Sequence, residues 1–127
     1  MRAMFRVPPI VNVALGGAVG ASLRWVVLNA TGEATFPWPV LLVNLVGCAA
    51  LGLLIGQDVP LSTRLLLGTG LCGGLTTFST FSVEAAQLVR ADDTVLAVAY
   101  VLCSVVGGLA AAVIGRTAGA RIVNVTC

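Results

Sequence analysis

GLCGGLTTFSTFSVE, residues 70–84, is the stretch on which the fold of this chain turns. It continues an apolar run that reads as the middle of a hydrophobic helix, yet it supplies two adjacent glycines and then Thr and Ser interleaved with Phe78 and Phe81. Glycine is entropically costly in a helix and Thr is β-branched, so the segment is a poor helix former. Non-helical backbone survives at membrane depth only where it is buried in protein or lines a cavity. The stretch therefore predicts a break in a membrane helix, placed at Gly73–Gly74, with the hydroxyl residues resatisfying the freed backbone groups.

Composition sets the context for that break. Of the 127 residues, 58% are apolar and only 9% charged, and the mean hydropathy is +1.05. A soluble domain is close to half apolar and about a quarter charged, so this chain lacks the charge to cover a surface in water. A bilayer core of about 30 Å takes roughly 20 helical residues to cross. Four stretches qualify, at about 9–29, 38–56, 64–90 and 94–115. The connections TGEATFP, QDVPLST and ADD are short, and Pro37, Pro39 and Pro60 stand at boundaries, where proline near a helix start is tolerated. The expected architecture is a single all-α domain over residues 1–127, with four transmembrane helices and the third broken. No soluble catalytic domain, linker or internal repeat is expected. Met1–Arg6 before an apolar run also has the form of a signal peptide, but Arg24 and the small residues of the first span suit a retained helix better.

The inventory of reactive groups is thin. His and Lys are absent and all seven cations are Arg. With the hydroxyls at membrane depth and no base beside them, the chain is not expected to be an enzyme, nor to bind nucleic acid. Cys48, Cys72, Cys103 and Cys127 have no metal-type spacing and read as small apolar residues.

Helices in lipid associate through close backbone approach at small residues. Such stripes run through Gly16, Gly20 and Arg24, through Asn44, Cys48, Gly52 and Gly56, and through Tyr100, Ser104, Gly108, Ala111 and Gly115. Their glycines read as packing. Asn44 has two open uses: to bond a neighbouring helix, since an unpaired amide is expensive in hydrocarbon, or to offer its amide hydrogens to a permeating anion. Arg24 and Glu84 can snorkel to an interface, which leaves a role at a pore mouth open for both. Beyond the break, ideal helical spacing puts Thr76, Thr80 and Glu84 on one stripe and Phe78 and Phe81 on an adjacent face. Two Phe three residues apart are most simply core. Here they alternate with hydroxyl donors, and the positive edge of a Phe ring can face an anion. Carbonyls freed at a break can coordinate a hard cation.

GGLTTFSTFSVE, with GGAVGASLRW in the first span and VNLVG in the second, resembles the Fluc family of fluoride channels, also called CrcB, over essentially the whole chain. The resemblance implies antiparallel, dual-topology dimers in the cell inner (plasma) membrane, with two fluoride pores along the subunit interface. It implies a structural sodium ion at the dimer centre, held by backbone carbonyls that map to Gly73 and Thr76. Phe78 and Phe81 would line the pores, Asn44 would be a pore-side donor, and a polar track would run through Ser79, Thr80 and Ser104, with water or Tyr100, also a pore residue, standing in where a further Ser is missing. Where members often carry a further Ser one turn after Ser104, this chain has Gly108.

The residue types agree with passive conduction. Fluoride is small and tightly hydrated, so a selective pore must replace its water with donors, yet bind weakly enough for the ion to leave. Asn, Thr, Ser and aromatic edges do this without a Lys or His⁺ that holds too tightly. The expected function is to let cytoplasmic fluoride flow out. One rival is a proton-coupled dual-topology exporter, which needs a midplane carboxylate; Glu84 alone is an acid inside a span. The other is a non-conducting assembly subunit, which leaves the break unexplained. Arginines are uneven: Arg2, Arg6, Arg64, Arg116 and Arg121 fall on the side of both termini, against Arg90 and, if it reaches that way, Arg24. Excess Lys/Arg marks the cytoplasmic side, so the partner is either a second, inverted copy or an oppositely oriented homologue.

Overall fold

The computed structural model describes residues 8–32 and 34–126; side chains beyond 123 are outside that description. Arg2, Arg6, the signal-like start and Cys127 therefore lie outside the described residues. Helix α1 is Pro9–Ala30 and α2 is Trp38–Ile55, each entered through proline at its first turn, where the missing N–H costs nothing. Helix α3 occupies 61–75 and is composite: an α turn Leu61–Thr63, a π-helical stretch Arg64–Cys72 and a final turn Gly73–Leu75. Helix α4 is Phe78–Arg90 and α5 is Thr94–Thr126. No strand occurs among the described residues. Helices α1, α2 and α5 are each long and apolar enough to cross a membrane.

Helix α5 runs eleven residues past 115, to Thr126. At 1.5 Å per residue its 33 residues extend about 50 Å, well beyond a hydrocarbon core of about 30 Å. The α4–α5 connection is tight enough to place Asp92 at φ 60°, a left-handed conformation that Asp tolerates better than most residues.

The break falls later than Gly73–Gly74. Gly73 is helical, with φ −64° and ψ −35°. The backbone leaves the helix at Thr76 (φ −75°, ψ 154°) and Thr77 (φ −145°, ψ 116°). Two consecutive β-branched residues, stiff at χ1 and at ease in extended backbone, make the interruption. Thr76 consequently belongs to no helical stripe with Thr80 and Glu84; it is part of the break itself. Gly74 serves packing instead. A Cβ on Gly74 would lie 3.0 Å from the amide nitrogen of Ala21 and 3.1 Å from the carbonyl carbon of Gly17, both in α1. Gly70 sits equally close, its would-be Cβ 2.9 Å from Gly16 Cα. The same device joins α2 to α5, where Gly52 meets Ala112 and Gly115 meets Leu53 backbone.

The interior is small: Val40, Leu41, Val43, Leu54, Cys72, Leu75, Ala97 and Tyr100 are buried, while Trp25, Leu42, Val95, Leu109 and many other large apolar side chains point outward. A water-facing surface of that kind would be untenable. An outward apolar surface on helices of this length is what lipid, or another such surface, covers.

Candidate functional site

The two-residue break is clamped from two sides. Asn44, midway along α2, receives the N–H of Thr77 on its side-chain oxygen at 2.8 Å and donates its amide back to the Thr77 carbonyl at 3.2 Å. Its planar amide thus replaces the helical partners of an extended residue. Arg24 of α1 donates to the Thr76 carbonyl at 2.9 Å from a half-buried position. Arg24, for which snorkelling and a pore-mouth role were both open, is held at the break.

Thr77 is the hub, and sequence reasoning gave it no role. It is 6% exposed. Its hydroxyl caps α4 by accepting from the Thr80 N–H at 3.2 Å, and it bonds the hydroxyls of Thr80 at 2.9 Å and Ser79 at 3.3 Å. A Thr immediately before a helix is an N-cap signal that was present in TFST. It was obscured by placing the break at the glycines.

The candidate residues divide between two cavities. One, of about 550 Å³, is lined by Asn44, Gly73, Thr76, Phe78, Phe81 and Ser104, with Thr77 at its wall. Ser104 presents to it a buried hydroxyl oxygen that has no hydrogen-bond partner. Phe78 is 80% exposed on this single chain, its ring centroid 5.8 Å from that of Phe81. The other cavity, of about 640 Å³, lies against the 31–40 segment and is lined by Thr80, Glu84, Gln87 and Asp93 among others. The Thr77–Thr80 hydroxyl pair therefore connects the wall of one cavity to that of the other.

Tyr100 ties the two halves together from α5. It is wholly buried, donates its hydroxyl to Glu84 at 2.6 Å, and packs against Phe81 at 5.3 Å and edge-on against Phe36 at 5.6 Å. Phe36, in the first connection, had no expected role. Ser79 is exposed and lines neither cavity. Gly108 is buried, and a Cβ there would meet only Cys48 Sγ at 3.5 Å, an ordinary contact, so the chain has steric room for a Ser at that position.

The break also frees carbonyls. In a continuous helix the Thr77 N–H would bond the carbonyl of Gly73; here it is taken by Asn44. The Thr76 carbonyl faces the Arg24 guanidinium and retains a second lone pair. No group of three or more His, Cys, Asp or Glu side chains suited to a metal occurs among the described residues, so a hard cation here would rest on backbone oxygen.

Comparison with known proteins places the chain in a family. Residues 11–116 match the family model described as CrcB-like protein, Camphor Resistance (CrcB). The chain is 48% identical over 107 residues to the fluoride-specific ion channel FluC 2 of Rhodococcus jostii, covering 84% of this chain and 94% of that one. It is 47% identical over 106 residues to FluC 1 of Halobacterium salinarum, covering 83% and 89%. To FluC of Chelativorans sp. it is 43% identical over 111 residues, covering 81% and 89%. With three unbroken helices fit to cross a bilayer and this breadth of similarity, the multi-pass membrane chain belongs to the CrcB family.

Proposed function

We propose that the chain is a fluoride channel that conducts passively, and that the broken segment 61–90 is a fourth membrane crossing whose interruption lies within the bilayer. The observation that carries the reading is the 550 Å³ cavity, where Phe78, Phe81, Asn44 and the unpartnered Ser104 hydroxyl converge beside a break with no Lys or His in the sequence. A dehydrated fluoride ion would exchange its water for the Ser104 hydroxyl, the remaining amide hydrogen of Asn44 and the positive edges of the two rings. Neutral donors bind weakly enough for release, which conduction requires. The Thr77 and Thr80 hydroxyls offer the next donors toward the second cavity, where Glu84 is held by Tyr100.

The exposed Phe78 and the apolar surface around it support a second subunit closing the cavity into a pore. An inverted copy is the preferred partner, and an oppositely oriented homologue the alternative. The Gly73 and Thr76 carbonyls fit a sodium ion, since hard cations take oxygen ligands. One chain supplies two of them, so a symmetric pair would supply four. Sodium bound there would neutralise carbonyl dipoles at the subunit junction; Asn44 and Arg24 would fix the backbone that presents them.

The test is efflux from liposomes loaded with fluoride or with chloride. The channel reading expects fluoride efflux that needs no proton gradient and no comparable chloride efflux. A requirement for a proton gradient would favour an exporter, and absence of flux from a folded dimer a structural subunit.

A further inference from the structure

We propose that Cys48 and Cys72 form a two-thiol site for one soft, thiophilic cation, and that occupying it shuts the cavity to anions. Both are free and both line the 550 Å³ cavity, Cys48 from α2 and Cys72 from α3. Cys48 is half-buried and Cys72 is 4% exposed, so the cavity is their common route to a small ion. The helices approach closely at this level: a Cβ on Gly47 would run into the Thr76 side chain and lie 3.8 Å from the Cys72 carbonyl oxygen.

Hard cations prefer carbonyl oxygen, whereas thiolates select soft ions. Two thiols suffice for a d¹⁰ ion that is satisfied by linear two-coordination. Binding is a ligand exchange with no change of oxidation state. With mercuric chloride, each thiol releases a proton, two S–Hg bonds form and two chlorides leave. The metal then sits beside Ser104 and Thr76, in the space through which fluoride would pass. The block rests on the fluoride-channel reading; the binding does not.

The experiment uses freshly reduced full-length protein carrying Cys103→Ser and Cys127→Ser, titrated with mercuric chloride and followed by the ultraviolet thiolate–metal band. One cation per chain is expected, retained through a wash with excess β-mercaptoethanol. Cys48→Ala and Cys72→Ala should each lose the metal in that wash, because a single thiol has no chelate advantage. Fluoride efflux of the loaded protein should fall to that of protein-free liposomes, while each washed single variant returns to its own unloaded rate. Two cations per chain, or equal loss from parent and single variants, overturns the site. A retained cation with unchanged efflux overturns the block. A retained cation in a chain that never conducts fluoride supports the site and overturns the channel reading instead.

Discussion

Asn44 shows most clearly how far a residue could be understood from sequence. The position of an amide inside an apolar run announced a partner, but its two uses could not be separated without coordinates. The structure commits its oxygen and one amide hydrogen to Thr77, and one donor hydrogen is left for an ion. Asn44→Asp removes both hydrogens and sets a carboxylate against the Thr77 carbonyl. Leaving one buried polar group unsatisfied costs about 1–3 kcal/mol, so this variant should lose both flux and thermal stability in detergent; full flux per folded dimer would refute its role. Phe78 and Phe81 should behave differently from each other. Phe78→Ile should abolish conduction and change the melting temperature less than Phe81→Ile, because Phe78 is 80% exposed on its own chain. Phe81→Ile should lower both, because Phe81 also packs on Tyr100. Two conducting Ile variants would return both rings to the status of filler. For Thr77, the change to Val keeps the shape and removes the cap; helix caps are worth about 1 kcal/mol, and the loss should show as a lower melting temperature that Thr77→Ser restores.

At the scale of elements, the apolar runs and prolines lie within a residue of both ends of α1 and α2 and at the start of α5, because length and hydropathy are properties a bilayer imposes directly, while α5 continues eleven residues past the expected 115. The interrupted helix was harder. Glycine is ambiguous in sequence: it marks both weak helix and close packing, and in α3 the second meaning applies at Gly74 and Gly70. The extended pair Thr76–Thr77 is stabilised by Asn44 and Arg24, more than thirty residues away in sequence, and no local pattern encodes that support. Gly73 and Gly74 now make a paired test. A Cβ on Gly74 would strike α1 backbone, which has no flexible atom to yield, so Gly74→Ala should prevent folding. A Cβ on Gly73 meets nothing within 4 Å on the same chain. Gly73→Val should therefore fold as a monomer and fail as a dimer on size-exclusion chromatography. A dimer that stays intact and indifferent to sodium would remove the carbonyl site from the account.

For the whole molecule, the proposed second subunit would cover part of the apolar outward surface and close the open cavity. Exchanging sodium for N-methylglucamine should lower the dimer fraction if the Gly73 and Thr76 carbonyls meet across the junction. Orientation is the place where the sequence pulls against a symmetric inverted pair. With Arg24 held at the break, it is withdrawn from the balance of surface charge, and the bias toward termini inside the cell stands as five arginines against one. Single cysteines introduced in the 57–63 connection, in a background lacking the native ones, should label from both sides of the membrane if the chain is its own inverted partner. Labelling from the cytoplasmic side alone would assign that role to a homologue.

The central claim is that the cavity beside the Thr76–Thr77 break passes fluoride down its gradient. The most direct measurement is fluoride efflux from liposomes reconstituted with this chain, recorded with a fluoride electrode, with and without a proton gradient and against chloride-loaded controls. The account predicts rapid fluoride efflux, indifferent to the proton gradient and abolished by Phe78→Ile, with chloride retained. Chloride efflux as fast as fluoride efflux, or fluoride efflux that persists in Phe78→Ile, would contradict it.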